Sequence, residues 1–470
     1  MTESDIVVED SQAAHILKSG IFDVGFYQKQ TGMQLSALEC VRHYLREGAR
    51  LGHRPNRLFD PAAYLALHED VARAGLEPFL HYVTSGMREG REVAATPEFI
   101  SSLADTPASA LEMRRIRSQA SSCGWTPQQR PSPRHAVAVY ASSLGCSYNQ
   151  WAADQLANGL QQAGCRVYRL DQNSRQPQQA TVDFIVAPHE FFRLGAGSAW
   201  SDRVGQHPNI ALNMIPLFDR SYFAALDAAR NCRIALDVSP HSAQQLPDLG
   251  FLRSGFLPLV CARPGEASQN EMSATRAQLA AISKTVWIED DDQSSLKVVA
   301  WAKRPIDVLF VGTLTRRRSK ALAQLAPALA RYRCCLLAPS KIQNSGRGRI
   351  GFAACRYLAR RSKIILNLHA DDLPRFEWHR IVNMGIEGGA VVVSEPVPAV
   401  PGIQEGDQYL TADIGFMSEL IDHILQETKG RKFAAALIRQ AKDHLYRVFD
   451  MATELSALVT LVESGGAGND

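Results

Sequence analysis

The chain has 470 residues, which predicts about three domains at roughly 150 residues each. Apolar residues make up 46% and charged residues 21%, so wholesale disorder and fibrous repeats are excluded. The net charge of +3 is too balanced for a dedicated nucleic-acid or polyanion binder, and we expect no nucleic-acid partner.

No apolar run reaches the roughly 18–20 residues of a transmembrane helix. The acidic start, MTESDIVVED, lacks the features of a secretion signal. The nine cysteines include no Cys-x-x-Cys pair and no Cys/His cluster at zinc spacing, so we expect reduced thiols and no metal site. These features predict a cytoplasmic protein, with peripheral association at the inner membrane as a further option.

An internal repeat follows residues 1–20, which we expect to be a flexible N-terminus. FDVGFYQKQ recurs as FDPAAYLAL, and RHYLREGARLGHR recurs as LHYVTSGMREGRE, with shared residues 37 or 38 positions apart. This spacing predicts two copies of one helical unit over residues 21–95. We interpret the His-Tyr pairs that both copies share as core and capping residues. The repeats are predicted to space the domains or to dock a protein partner.

Residues 96–134 are predicted to form a linker, since QASSCGWTPQQRPSPR is rich in Ser, Gln and Pro. Short apolar strands then alternate with helices over residues 135–262 and again over 306–430. The stretch 263–305 between them contains EDDD and is predicted to be a connecting segment. Residues 431–470 are predicted to form C-terminal helices and a tail.

The predicted fold class is therefore α/β. Two doubly wound Rossmann-like domains follow a small all-α repeat module. Ligands of such sheets bind outside the carboxyl ends of the strands, so the cleft between the two domains is the expected active site.

A basic loop follows the first strand of the second series. It reads GTLTRRRSK and includes Gly312, Thr313, Arg316, Arg317 and Arg318. A helix N-terminus favours anions, and arginines form forked hydrogen bonds with phosphate oxygens. The loop is therefore a candidate phosphate or diphosphate site. A solvated basic turn is the alternative interpretation.

Further polar residues cluster in LNLHADDLPRFEWHRIVNMGIEGGAVVVSE. Asn367 and His369 close a strand, and Glu377 and Arg380 share one face of the next helix. The carboxylate is suited to sugar hydroxyls and the guanidinium to phosphate. A simple ion pair three residues apart is the alternative for Glu377 and Arg380. Gly388 and Gly389 permit a tight turn into the strand that follows.

The stretches DVLFVGTLTRRR, SKIILNLH and FEWHRIVNMGIEGGAVVVSE resemble the C-terminal domain of bacterial glycosyltransferases with the GT-B fold. The repeats resemble units fused to such enzymes. The resemblance implies that the second domain binds a nucleoside-diphosphate sugar and the first binds a glycan, glycolipid or protein acceptor. The expected reaction is hexosyl or deoxyhexosyl transfer without a cofactor, and we expect it to be metal-independent because no Asp-x-Asp motif suited to Mg²⁺ is evident outside the EDDD run. One departure is Asn383, which stands where many GT-B enzymes have a glutamate.

The acceptor side is predicted in the first domain. Ser147, Tyr148 and Asn149 follow its first strand in a loop. His189 and Glu190 follow a later strand and are the candidate catalytic bases, with Asp237 and His241 as a second choice.

We expect a glycosyltransferase of polysaccharide, glycolipid or protein biosynthesis. A non-catalytic scaffold or binding protein of a glycan-assembly system and a GT-B sugar-nucleotide epimerase are the alternatives. The glycosyltransferase interpretation depends on a crevice between the two domains whose wall in the second domain binds the diphosphate. Arg316, Glu377 and Arg380 scattered over separate surfaces, with no shared hollow, would contradict it, whereas the scaffold interpretation does not need Glu377 and Arg380.

Overall fold

A computed structural model describes residues 3–112, 116–124, 126–128, 135–175, 177, 179–200, 208–251, 253–261, 299–338 and 350–464. Most of the predicted connecting segment 263–305, including its EDDD run, lies outside the described residues, as does the tail after 464.

The N-terminal part is helical from its first described residue. Residues predicted to be flexible form α1 instead, and this helix is held by ion pairs from Arg42 to Asp10 and from Arg46 to Glu9. Ala13 and Ile16 on α1 are fully buried. The helices of this part are α1 (Glu3–Ser19), α2 (Val24–Thr31), α3 (Ala37–His43), α4 (Pro61–Leu67), α5 (Glu69–Arg73), α6 (Pro78–His81) and α7 (Met87–Glu89).

The two repeats contain the same internal contact. Tyr27 Oη lies 2.7 Å from His43 Nδ1, and Tyr64 Oη lies 3.0 Å from His81 Nδ1. In each copy the helix that carries the histidine continues into a π-helical turn, Tyr44–Gly48 or Tyr82–Gly86. Both tyrosines are fully buried and are core residues, as the sequence predicted, whereas both histidines are half-buried.

The repeats share a hydrophobic core with the first α/β domain. Tyr82 packs edge-on against Phe223, with ring centroids 5.6 Å apart. Leu217, Leu226 and Ala235 of that domain belong to the same buried cluster. The module therefore covers one face of the first sheet.

Residues 96–134 contain helices where the sequence predicted a linker. Ile116 and Ala120 of the last helix are fully buried, because that helix packs against the C-terminal helix of the chain. Arg117 also forms a 2.7 Å ion pair with Glu454 on that C-terminal helix. The helices are α8 (Pro97–Asp105), α9 (Ala108–Glu112) and α10 (Ile116–Ser122).

The first α/β domain contains a six-stranded sheet of described residues in the order β2-β1-β3-β4-β5-β6, with every pairing parallel. Gly164 adopts φ 102° and ends the long helix after β1. The strands are β1 (Ala136–Tyr140), β2 (Arg166–Leu170), β3 (Val182–Val186), β4 (Asn209–Asn213), β5 (Ile234–Asp237) and β6 (Ser254–Phe256). The helices are α11 (Ser147–Ala163), α12 (Pro188–Phe191), α13 (Tyr222–Ala229) and α14 (Pro240–Gln245).

The second α/β domain contains a five-stranded parallel sheet of described residues in the order β11-β10-β9-β7-β8. Its strands are β7 (Ile306–Val311), β8 (Cys334–Leu337), β9 (Ser362–Asn367), β10 (Val391–Ser394) and β11 (Leu410–Thr411). Its helices are α15 (Arg316–Leu329), α16 (Phe352–Ala359) and α17 (Ile414–Gln426), with a π-helical segment at His379–Ile386. The expected pair of doubly wound Rossmann-like domains in the GT-B arrangement, after an all-α module, is thus confirmed.

The strand order reverses at one place in each sheet. In the first sheet the reversal falls between β1 and β3, and in the second between β7 and β9. Connections from neighbouring strands run to opposite faces at such a point, which leaves a crevice at the carboxyl ends of the strands. These two switch points are the places where the fold favours ligand binding.

The chain returns to its first α/β domain at the C-terminus. Helices α18 (Thr428–Val448) and α19 (Met451–Ser464) follow the second sheet, and α19 packs against α10 and α11. Its Leu455 and Leu458 are fully buried. Among the described residues, no helix is both long and apolar enough to span a membrane.

Candidate functional site

Arg380 joins the two strands at the switch point of the second sheet. Its Nε donates to the Val311 carbonyl at the end of β7 at 2.9 Å, and its Nη1 donates to Asn367 Oδ1 at the end of β9 at 3.0 Å. The same Nη1 donates to Glu377. Nη2 has no hydrogen-bonding partner among the described residues. The predicted residues Asn367, Glu377 and Arg380 therefore meet in one cluster.

Arg318 adds a second guanidinium to this cluster. Its Nε donates to the Leu368 carbonyl at 3.0 Å, and its Nη2 lies 3.5 Å from Glu377 Oε1. A Cβ added at Gly312 would lie 3.1 Å from Arg318 Nη1 and 3.3 Å from Arg380 Nη2. The same Cβ would lie 3.2 Å from Phe310 Cζ, so the lack of a side chain at Gly312 is what lets the two guanidinium groups approach the end of β7 this closely.

The charges of the cluster are strongly coupled. Burial alone raises the pKa of Glu377, but the charges of Arg380, His379 and Arg318 outweigh it and lower that pKa to about 2. Burial, assisted by Arg380, lowers the pKa of Arg318 to about 10. One carboxylate thus faces two buried guanidinium groups, which leaves the cluster a net positive charge at neutral pH.

The other residues of the basic loop lie outside this cluster. Arg316 is exposed and has no hydrogen-bonding partner among the described residues, so its place in the diphosphate site stays a prediction. Arg317 pairs with Glu395 at 2.5 Å and with Asp372 at 3.0 Å. Successive residues of a helix point about 100° apart, so only one of the three arginines faces the cluster. Thr313 is exposed, although its carbonyl accepts from Arg318 Nη1.

His369, Gly388 and Gly389 have structural contacts. The His369 Nε2 lies 2.8 Å from the Pro396 carbonyl, and its amide donates to Glu395. Gly389 has φ +66°, as the predicted tight turn requires. A Cβ at Gly388 would lie 2.1 Å from the Met384 carbonyl oxygen.

Asn383 contacts the first α/β domain. Its Oδ1 accepts from Tyr148 Oη at 3.1 Å, and its Nδ2 donates to the Leu259 carbonyl at 3.0 Å. The indole of Trp378 likewise donates to the Val238 carbonyl at 2.6 Å. The segment that carries Glu377 and Arg380 on one side therefore carries the contact between the domains on the other.

Ser147, Tyr148 and Asn149 form the first turn of α11 and not a loop. Ser147 Oγ accepts from the Phe352 amide of the second domain at 3.1 Å. The predicted acceptor side therefore includes direct contacts to the second domain. Asn149 is buried.

His379 is a site residue that the sequence analysis did not select. Its Nε2 lies 3.1 Å from Glu377 Oε2, and its ring centroid lies 5.3 Å from that of Tyr148. It therefore stands between the charged cluster and the first domain. The sequence places His379 between Glu377 and Arg380 along the chain, but it does not show that the imidazole lies between Glu377 and Tyr148.

The candidate bases lie at the switch point of the first sheet. Both carboxylate oxygens of Glu190 accept from the Cys146 amide, at 3.1 and 3.0 Å, and so fix the loop after β1. Burial, followed by the charge of Arg193, lowers the pKa of His189 to about 4. Their catalytic role stays a prediction.

The second-choice pair is more deeply buried. Asp237 has no exposed surface and accepts from the Ser239 amide and from Asn213 Nδ2. Burial raises its pKa to about 8, and burial lowers the pKa of His241 to about 4. These hydrogen bonds fix the backbone after β4 and β5.

No protein-family model matches the chain, and no curated protein matches it. It is similar to a solved glycosyltransferase from Rickettsia africae, with 11% identity, a TM-score of 0.41, and coverage of 71% of this chain and 99% of that chain. An α-glucosyltransferase in complex with UDP and DNA has 9% identity, a TM-score of 0.39 and coverage of 70% and 99%. An α1,3-fucosyltransferase with GDP-fucose has 10% identity, a TM-score of 0.38 and coverage of 75% and 97%. Likenesses this distant transfer no role to any residue here.

Proposed function

We propose that the protein is a glycosyltransferase that binds a nucleoside-diphosphate sugar at the switch point of its second sheet and an acceptor on the side of the first. The observation that carries this proposal is the position of Arg318 and Arg380 around Gly312. Two guanidinium groups at the carboxyl ends of β7 and β9 offer positive charge to a diphosphate, and Arg380 Nη2, which has no partner among the described residues, offers a hydrogen-bond donor.

The same cations suit the chemistry of glycosyl transfer. When the bond from the sugar to the diphosphate breaks, the leaving group gains negative charge. Fixed guanidinium groups that face this charge stabilise the transition state without solvent reorganisation. Metal-independent transfer, with no cofactor besides the donor, is part of the proposal.

The first test is nucleotide binding. UDP, GDP and dTDP are titrated into the full chain by calorimetry, and each is then offered as a sugar nucleotide with a panel of glycan and protein acceptors. We expect at least one diphosphate to bind and its sugar nucleotide to be consumed, with undiminished turnover in EDTA. A chain that binds none of the three contradicts the proposal.

The second test probes the position beside Gly312. Gly312→Ala places a methyl group 3.1 Å from Arg318 Nη1 and 3.3 Å from Arg380 Nη2 while keeping every charge. We expect the affinity for the diphosphate to fall roughly tenfold or more, about 1.4 kcal/mol. Gly415→Ala is the matched control, since a Cβ there meets nothing within 4 Å. Equal affinities in the two variants contradict the proposed site.

A non-catalytic binding protein is the second candidate. It is favoured by Asn383, whose side chain is committed to Tyr148 and Leu259. Such a protein binds the nucleotide with the same sensitivity to Gly312→Ala but consumes no sugar nucleotide with any acceptor.

A further inference from the structure

His379 combines three features. Its Nε2 lies 3.1 Å from Glu377 Oε2, its ring packs against Tyr148 of the first domain, and its side chain is 33% exposed. The other buried or half-buried histidines near the sheet edges are placed differently. His241 is buried, and His369 bonds the Pro396 carbonyl. His189 is half-buried like His379, but it forms no ion pair with a carboxylate among the described residues.

The Glu377 carboxylate, whose Oε2 lies 3.1 Å from Nε2, favours one tautomer of His379. An ionised carboxylate only accepts hydrogen bonds, so a neutral imidazole beside it carries its proton on Nε2. The lone pair is then on Nδ1. No described residue forms a hydrogen bond with that atom. A carboxylate behind an imidazole both orients the ring and stabilises the imidazolium that forms when the ring accepts a proton.

We propose that His379 is the catalytic base of the transfer proposed above, on which this inference rests. Nδ1 takes the proton of the acceptor hydroxyl. The hydroxyl oxygen forms its bond to the anomeric carbon as the bond from that carbon to the diphosphate oxygen breaks, and the electron pair leaves with the diphosphate. Such a direct displacement inverts the configuration of the sugar.

The charges around His379 make its pKa depend on whether the sugar nucleotide is bound. Burial and the nearby Arg380 and Arg318 lower the pKa of His379 to about 4, while Glu377 raises it. Tyr148, the group that packs on it from α11, is neutral because burial raises its pKa. A bound diphosphate opposes the charges of the two arginines. The imidazole therefore becomes a stronger base when the donor is present.

The test compares two histidine-to-glutamine variants. His379→Gln retains an N–H group that can face Glu377 and loses the basic nitrogen. We expect kcat to fall roughly 100- to 10,000-fold, with diphosphate affinity within about twofold of the parent. His423→Gln is the matched control, because His423 also pairs with a glutamate, Glu427, on an exposed face of α17. Its kcat is expected to stay unchanged.

A second readout is independent of turnover. Calorimetric titration of UDP or the preferred diphosphate at pH 5.5, in buffers of different ionisation enthalpy, is expected to show proton uptake that His379→Gln removes. The acid limb of the kcat profile is expected at higher pH than that of kcat/KM. This separation is lost in His379→Gln.

Two outcomes overturn the inference while leaving the proposed function intact. One is a parent enzyme that binds and transfers while His379→Gln keeps its kcat, above all if His189→Gln loses it. The other is a product with retained configuration. Failure of the parent to bind any diphosphate instead contradicts the proposed function itself.

Discussion

Glu377 faces two guanidinium groups and one imidazole with one carboxylate. Arg380 and His379 contact one oxygen, and Arg318 approaches the other. Its two oxygens are thus occupied within the protein, so we infer that it orients the cations more than it receives sugar hydroxyls. A buried ion pair is costly to break because the remaining charge has no partner.

Glu377→Gln is therefore expected to lower the free energy of unfolding by about 3–5 kcal/mol at pH 7. Because the pKa of Glu377 is lowered to about 2 in the folded chain, its stabilising contribution is fully present above the unfolded pKa of about 4.3 and is lost as the pH falls toward 2. Urea unfolding between pH 3 and 8 measures this. The difference in unfolding free energy between parent and variant is expected to become smaller as the pH falls.

The control for this experiment is Glu427→Gln, which removes a carboxylate that pairs with His423 on the surface. It is expected to change the unfolding free energy by less than about 0.5 kcal/mol. A deficit in Glu377→Gln that stays constant down to pH 3 contradicts the assignment of the charge coupling.

Sequence spacing identified part of this site. It placed Asn367 and Arg380 at one sheet edge, because the carboxyl ends of parallel strands coincide. It did not distinguish Arg316 from Arg318, since the exact start of α15 decides which arginine points inward. His379 was missed because its role depends on Tyr148, more than 200 residues away in the chain.

The two repeats share one arrangement of a tyrosine, a histidine and a glycine. In each copy a tyrosine hydroxyl reaches its histidine past a glycine of the π-helical turn. A Cβ at Gly48 would lie 2.1 Å from Tyr27 Oη, and a Cβ at Gly86 would lie 2.6 Å from Tyr64 Oη. Gly48 and Gly86 are therefore required by close packing.

Gly48→Ala and Gly86→Ala are each expected to destabilise the chain by about 1–3 kcal/mol, because the added methyl group overlaps a buried hydroxyl. Thermal unfolding of the two single variants measures this. Gly415→Ala serves again as the control, with open space around its Cβ. A variant at Gly48 as stable as the control contradicts the close contact.

The elements that the sequence predicted best are the buried strands, whose apolar runs are short and follow one another regularly. The sequence did not predict α1, because its acidic residues suggested a flexible segment. Ala13 and Ile16 of this helix are nevertheless fully buried. The sequence also missed α10, whose composition is that of a linker. Both helices are stabilised by distant partners, Arg42 for α1 and Glu454 for α10, which local composition does not reveal.

At the scale of the whole molecule, α19 connects the end of the chain to its first α/β domain. Leu458 is fully buried there. Leu458→Ala is expected to cost about 2–5 kcal/mol of unfolding free energy, since a large side chain leaves a cavity. Urea unfolding measures the loss, and hydrogen exchange is expected to show faster opening of β1.

Leu336→Ala is the matched control, because Leu336 is 45% exposed on β8. It is expected to change stability by less than about 0.5 kcal/mol. If Leu458→Ala leaves hydrogen exchange in β1 unaltered, α19 does not support the first domain.

The shared core of the repeats and the first sheet has a practical consequence. Phe223, Leu226 and Ala229 of α13 belong to the buried cluster that the repeats share with the first α/β domain, and Phe223 packs directly against Tyr82. A shortened protein that starts at β1 would expose these apolar side chains to water and would be prone to aggregate. Producing the two Rossmann-like domains alone therefore requires polar substitutions on α13, because the repeats cannot be removed without exposing part of the core.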